Sequence, residues 1–162
     1  MKIKICLSIL MISLTLIKCE KNKGAVYERY TLIDNGSREY STHYTLKKSS
    51  SEQSIRYRYI HESDSLRNVE FSFDPSNILH WGSDQFLKST KSFIKVVELS
   101  DSKFYCFDNK DYGDDATGPI VFNEEYGVLA IVNVYGPSVF FLKEEKNKDL
   151  VETIKAKIIE HM

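Results

Sequence analysis

The stretch Asp108–Asp115 carries clustered carboxylates, which are typical ligands of hard cations such as calcium. A calcium loop of the EF-hand type needs oxygen ligands at its third and fifth positions, where this chain has Lys110 and Tyr112. We therefore predict a solvated acidic loop here and no metal site. The histidines show no zinc-type spacing either; they are His43, His61, His80 and His161.

A nucleophilic serine of the G-x-S-x-G type sits on a sharp turn between a strand and a helix. Gly82-Ser83-Asp84 lacks the second glycine of that pattern, and no glycine-rich loop that could hold a phosphate occurs. His80, next to Trp81, is interpreted as a partly buried structural histidine. No catalytic residue and no cofactor is predicted.

Tyrosines recur on the faces that an alternating pattern assigns to the inside of a sheet. A tyrosine has an apolar ring and a polar tip, so such a face could line a groove for a sugar, a lipid or another protein. The alternative is that these rings, with Tyr30 among them, build the core under a C-terminal helix. The predicted ligand-binding residues are Tyr40, Tyr44, Tyr57, Tyr59 and Trp81.

The N-terminus has the pattern of an export signal. Lys2 and Lys4 precede an apolar stretch, Ile5–Ile17, which ends at Lys18 and Cys19. This stretch is shorter than the about 17 to 25 apolar residues that a membrane-spanning helix needs. We therefore predict a signal peptide over residues 1–18.

The segment Leu16-Ile17-Lys18-Cys19 resembles the lipobox of bacterial lipoproteins, although Lys18 stands where that family has a small residue. The resemblance covers residues 1–19 only. It implies cleavage before Cys19, lipidation of Cys19, and anchoring in the cell envelope, with the outer membrane of a Gram-negative bacterium as the predicted location. Two or three acyl chains would hold such a protein on the membrane almost permanently. The alternative is an incidental cysteine behind an atypical signal.

Charge and cysteine usage narrow the function classes. Removal of residues 1–18 takes three lysines from 22 basic residues and none of the 23 acidic residues, which leaves a net charge of −4. Because no basic strip is present, nucleic acid is not a predicted partner. Cys106 is the remaining thiol after Cys19 and is predicted to be buried and inert. We expect a tether at 19–24 and one globular domain at 25–162.

Strand signals dominate the domain. Alternation with a period of two predicts strands at 26–33, 40–47, 55–59 and 69–73, which form an antiparallel meander with one wet face. Further strands are predicted at 93–99, 104–107, 119–122, 128–135 and 138–142.

Helix signals are fewer. Asp74 and Pro75 predict a short middle helix that ends at Gly82, and 83–91 carries a helical pattern. Asn147 would cap a C-terminal amphipathic helix with an apolar stripe from Leu150 to Ile159. The predicted fold class is α+β: a strongly curved, predominantly antiparallel sheet of about nine strands, with this helix packed on one face.

Three function hypotheses follow. The first is a lipid-anchored envelope protein that acts without catalysis, as a binding or accessory module for an unknown envelope partner. The second is a carrier of a small apolar ligand inside the curved sheet. The third, ranked last, is a hydrolase whose site is assembled from distant residues. A large internal pocket would favour the carrier, whereas a filled core with exposed aromatic residues would favour the binding module.

Overall fold

The structure is a computed structural model that describes residues 24–36, 39–110, 118–133 and 136–160. Its main feature is an antiparallel sheet that closes into a barrel. The strands are β1 (Ala25–Asp34), β2 (Glu39–Ser50), β3 (Ile55–His61), β4 (Val69–Phe73), β5 (Ile78–Trp81), β6 (Asp84–Ile94), β7 (Phe104–Asn109), β8 (Ile120–Asn123), β9 (Gly127–Ile131) and β10 (Ser138–Leu142). A 3-10 helix (Glu145–Asp149) leads into α1 (Leu150–Ile159), and another 3-10 turn spans Ser65–Arg67.

Each strand pairs with its sequence neighbours, and β1 pairs with β10 to close the barrel. The prediction of an antiparallel meander is therefore confirmed, while the sheet has ten strands rather than about nine. The C-terminal ends of β1, β3, β5, β7 and β9 lie at one end of the barrel, which we call the upper rim. The chain enters β1 and leaves β10 at the opposite end, the lower rim.

The prediction of a middle helix is wrong, because the structure has strands β5 and β6 at these positions. Asp74 accepts hydrogen bonds from the amides of Ser76 and Ile78 through Oδ1, so it caps a hairpin turn rather than a helix. Asn77 has a φ of 63°, which ends any helical path at that residue. Asp is favoured both at a helix N-cap and in a turn. Here β4 pairs with β5, so the Asp74 segment forms the hairpin turn between them.

The later strands agree only partly with prediction. The predicted strand at 93–99 is largely wrong, because Ile94 ends β6 and the amides of Leu99 and Ser100 bond to the Val96 carbonyl in a turn. The predicted strand at 128–135 ends at Ile131, and residues 134–135 lie outside the described residues. The predicted strand at 138–142 is confirmed as β10.

Two apolar clusters lie on opposite faces of the sheet. The inner cluster fills the barrel with large rings that are at most 1% exposed, among them Tyr57, Tyr59, Phe71, Phe86, Phe107, Phe122 and Phe141. The outer cluster lies between the barrel wall and α1, whose Val151, Ile154 and Ile158 are buried against it. Packing of the C-terminal helix on one face is thus confirmed, on the outer face of the barrel. Cys106 belongs to this outer cluster and is buried, as predicted.

The tyrosines divide between these two clusters. Tyr30 packs under α1 in the outer cluster, while Tyr44, Tyr57 and Tyr59 lie inside the barrel. The expectation that all of them share a core under the helix is therefore wrong. Closure of the sheet creates an enclosed inner face that needs its own filling, and the helix is left to cover the outside.

Polar contacts hold α1 at its place on the wall. Lys155 of α1 forms an ion pair with Asp34 at the end of β1 and a second one, at 2.7 Å, with Glu152. The hydrogen bond from Lys155 lowers the pKa of the Asp34 carboxyl, against the opposing effect of its burial. Asn147 accepts a hydrogen bond from the Glu144 amide, so it caps the 3-10 turn that precedes α1.

The β8–β9 turn, Asn123–Gly127, closes the lower end of the barrel. Oδ1 of Asn123 accepts the amides of Glu125 and Tyr126, which sets the turn. A β-carbon on Gly127 would lie 2.5 Å from the Tyr59 hydroxyl and 3.4 Å from Leu46, so the turn enters the barrel. The glycine has a φ of 93°, which L side chains rarely adopt.

Gly127→Ala should therefore lower the free energy of unfolding by about 3 kcal/mol, since it combines backbone strain with overpacking. Gly82→Ala is the matched control, because Gly82 also has a positive φ, 60°, but no atom within 4 Å of the added carbon. We expect about 1 kcal/mol there. Urea unfolding measures both values, and equal losses would contradict insertion of the turn into the barrel.

Candidate binding site at the upper rim of the barrel

The five predicted ligand-binding residues all project from the inner face, at different depths. The register pairs Ile33 with Tyr40, and Phe71 with Trp81. Tyr57 and Tyr59 are fully buried, Tyr44 is 7% exposed, Trp81 is partly exposed, and Tyr40 is 52% exposed at the upper rim. The structure thus places only Tyr40 and Trp81 where a ligand could reach them without movement of the core.

Three of these residues, Trp81, Tyr59 and Tyr44, belong to one run of contacting rings. Ring centroids are 5.4 Å apart for Trp81 and Phe71, and 6.0 Å apart for Phe71 and Tyr59. The run continues from Tyr59 to Phe141 at 4.4 Å and from Phe141 to Tyr44 at 6.0 Å. Tyr57 lies deeper and contacts Phe122 at 5.2 Å. These contacts make the rings a packed core, with Trp81 at its upper edge.

The hydroxyl groups of the deepest tyrosines bind the β8–β9 turn. Tyr57 donates to the Glu124 carbonyl at 2.5 Å. The Tyr59 hydroxyl accepts the Val128 amide at 2.7 Å and contacts the Val128 carbonyl at 3.4 Å. Burial raises the pKa of both tyrosines well above their ordinary value near 10. These hydroxyls therefore stay neutral and serve the fold at the lower end.

Three polar residues, His61, Thr42 and Thr31, lie just inside the upper rim. Nδ1 of His61 accepts the amides of Ser63 and Asp64, so the proton of the neutral ring is on Nε2, which donates to Thr42 Oγ1 at 2.9 Å. Thr42 lies opposite Thr31, whose buried hydroxyl has no partner among the described residues. Because the amides of the following turn occupy Nδ1, the ring is a structural element of the rim rather than a free base.

A groove of about 550 Å³ opens at the upper rim beside Trp81. It runs between the start of β4 and the β5–β6 turn, and Leu66, Val69 and His80 line it as well. Leu66 is 95% exposed. This volume is within the range of about 300 to 1,000 Å³ that ligand sites have, and the walls are both apolar and polar.

His80 and Asp74 form the nearest arrangement to a catalytic pair. Nε2 of His80 lies 3.0 Å from Oδ2 of Asp74, which lowers the pKa of that carboxyl against the larger, opposing effect of burial. Ser72 faces His80 across the β4–β5 ladder, but no hydrogen bond joins the Ser72 hydroxyl to the ring in the described part of the chain. The geometry therefore presents no activated nucleophile at this pair.

The remaining sequence candidates are dispersed. Most of the acidic stretch Asp108–Asp115 lies outside the described residues, and within those residues no cluster of three potential metal ligands occurs. Burial raises the pKa of the Cys106 thiol to about 11, which fits an inert cysteine. Residues 1–23, with Cys19, are outside the described residues. No helix among the residues described has the length and apolarity to cross a membrane.

Leu66 and Thr31 were not among the residues predicted from sequence. Leu66 is the apolar residue in a polar turn, Glu62–Arg67, and that contrast is a signal that could have identified it. Thr31 sits in an apolar strand where threonine is common, so no sequence signal marks its unpartnered hydroxyl.

Tyr59→Phe should change how stability depends on pH. A tyrosine whose pKa is raised in the folded state stabilises the fold fully below pH 10, and this contribution is lost as the pH rises above 10 and the unfolded chain ionises. Above pH 10, each such tyrosine makes the free energy of unfolding fall by about 1.4 kcal/mol per pH unit. Tyr59→Phe removes one of these contributions. Urea unfolding from pH 9 to 11.5 measures the slope, with Tyr40→Phe at the exposed rim as control. Identical slopes in wild type and Tyr59→Phe would contradict this assignment.

Comparisons with known proteins give no relative from which a function could be transferred. No family model, no curated protein and no solved structure matches this chain. The candidate site therefore depends on the chain's own geometry. The β8–β9 turn closes the lower end of the barrel, and the upper rim exposes Tyr40 and carries a groove lined by Leu66 and Trp81.

Proposed function

We propose that this protein is a lipid-anchored binding module of the bacterial cell envelope, which uses the upper rim to bind a partner protein. The observation that carries the proposal is the exposed apolar residue Leu66 next to the groove beside Trp81. Exposed large apolar groups that cluster with a groove are typical of interaction sites. Tyr40, 52% exposed at the same rim, adds a side chain that is frequent in interfaces.

The position of the first strand supports a tether at the opposite end. β1 begins at Ala25 on the lower rim, six residues after Cys19. An extended chain of that length spans at most about 20 Å. A lipid on Cys19 would therefore hold the lower rim close to the outer membrane and direct the upper rim away from it, towards envelope partners.

The groove also offers a backbone surface to a protein segment. The β4–β5 ladder ends at the pair Phe71–Trp81, whereas the β3–β4 ladder continues to Val69. Val69 and Glu70 therefore have a strand neighbour on the β3 side only. An extended peptide could continue β5 along this short edge, which is a common way of binding a protein segment to a sheet.

The filled barrel supports this hypothesis over that of a carrier for an apolar ligand. The inner side chains of Tyr57, Tyr59, Phe71 and Phe86 are fully buried, and the lower end is closed by hydrogen bonds to the β8–β9 turn. An apolar ligand inside the barrel would have to displace these rings, whereas a partner at the upper rim would bind without such a change.

Palmitate should label the full-length protein in a Gram-negative host, and Cys19→Ser should abolish the label and release the protein from the membrane fraction, since the acyl chains are lost. Cys106→Ala is the control, because Cys106 is buried in the fold, and it should keep the label. Equal label in wild type and Cys19→Ser would refute the anchor.

A photoreactive benzoylphenylalanine in place of Leu66 should give a discrete cross-linked adduct with an envelope protein in intact cells. The same substitution at Leu87, 42% exposed on the outside of β6, is the matched control and should give none. Adducts of equal yield at both positions, or none at position 66, would contradict a binding site at the upper rim.

A further inference from the structure

A second cavity, of about 420 Å³, lies at the lower rim. The start of β1, the loop between β6 and β7, the β8–β9 turn and the residues after β10 surround it. Arg29 and Tyr126 line the cavity, together with the charged side chains of Asp101, Glu125 and Lys143. It is separate from the groove at the upper rim, with which it shares no lining residue.

Arg29 is a buried cation without a paired anion. Its residue is 5% exposed, and its Nη1 and Nη2 donate to the carbonyls of Glu28 and Tyr126 at 3.0 and 2.9 Å. Nε has no hydrogen-bond partner, and no salt bridge joins Arg29 to an acidic residue in the described part of the chain. Its guanidinium lies 4.5 Å from the ring centroid of Tyr126. Because an unpaired buried charge is costly, this site calls for an anionic group from a ligand.

The edge of the cavity carries the opposite charge. Glu28 and Glu144 have partners, since Glu28 accepts from Thr45 at 3.5 Å and Glu144 pairs with Lys146 at 2.6 Å. Asp101 and Glu125 are exposed and form no salt bridge with any described residue. A ligand that carries both an anion for Arg29 and an ammonium group for these carboxylates would satisfy both parts of the cavity.

The cavity also lies where the proposed tether would bring the membrane. Val26 and Tyr27 at the start of β1 are 58% and 40% exposed, and Tyr27 lines the cavity. A tyrosine with an apolar ring and a polar tip suits the interface of a bilayer. This step depends on the proposed lipid anchor at Cys19, which would place the lower rim at the headgroup layer.

We propose that this cavity binds the headgroup of a zwitterionic phospholipid that carries a phosphodiester and a primary ammonium group, as in phosphatidylethanolamine. The phosphodiester pairs with the guanidinium of Arg29, and the ammonium group lies between Asp101 and Glu125. Planar guanidinium groups bind phosphate oxygens through such charge-assisted hydrogen bonds. Lipid binding here would orient the barrel on the membrane while the upper rim remains free.

The test uses the full-length protein in a nonionic detergent with glycerophosphoethanolamine as the soluble probe. Nitrogen–proton spectra resolve the Nε–H signals of the five arginines, and the signal missing in Arg29→Lys belongs to Arg29. We expect that signal to shift and saturate, while the signal of Arg67 at the upper rim stays in place. Arg29→Lys should weaken binding at least about tenfold, because the planar guanidinium is lost, and Arg67→Lys should leave it unchanged.

Further probes separate a headgroup from a simple anion. Glycerophosphoglycerol and inorganic phosphate lack the ammonium group and should bind at least about tenfold more weakly. Asp101→Asn, an exposed change that leaves Arg29 in place, should reduce this preference. Equal binding of all three probes would overturn the zwitterion assignment, and an unshifted Arg29 signal would overturn the site. Neither result depends on Cys19 or on cross-linking at Leu66, so failure here is distinct from failure of the proposed function.

Discussion

The hydrogen bond between the Val128 amide and the buried hydroxyl of Tyr59, 2.7 Å long, is the contact on which closure of the lower end of the barrel depends. A fully buried hydroxyl must replace the water that it has lost, and the peptide of the β8–β9 turn supplies the replacement. Tyr57, Lys48 and Arg29 donate to carbonyls of the same turn. Removal of the turn would leave several buried donors without partners and would open the lower end.

This closure explains how a barrel of ten strands can have a solid interior. The diameter of a barrel grows with strand number, and eight strands already enclose enough space for side chains or one small ligand. Here large rings and the inserted turn fill the extra space, and α1 covers part of the outer wall. We therefore propose binding at the rims: at the groove beside Trp81 on the upper rim, and at the cavity with a buried arginine on the lower rim.

Sequence reasoning predicted what depends on local alternation and missed what depends on distant pairing. The inward positions of Tyr40, Tyr44, Tyr57 and Tyr59 follow from a period of two, because one residue of slip would turn every side chain to the other face. Closure between β1 and β10 joins residues about as far apart as the domain allows, and no local pattern encodes it. The prediction of a helix at Asp74 is wrong because a turn and a helix N-cap use the same side-chain hydrogen bond to backbone amides. The buried position of Arg29 arises only when β1 and the distant β8–β9 turn meet.

Native-state hydrogen exchange at the Val128 amide measures closure of the lower end directly. If the β8–β9 turn is an integral part of the core, this amide should exchange only through global unfolding, so its opening free energy should equal the unfolding free energy obtained with urea. Exchange of Val128 through a local opening, with a free energy several kcal/mol below the global value, would mean that the turn leaves the barrel in the folded protein. A ligand could then enter the interior from below, and confinement of binding to the rims would be refuted.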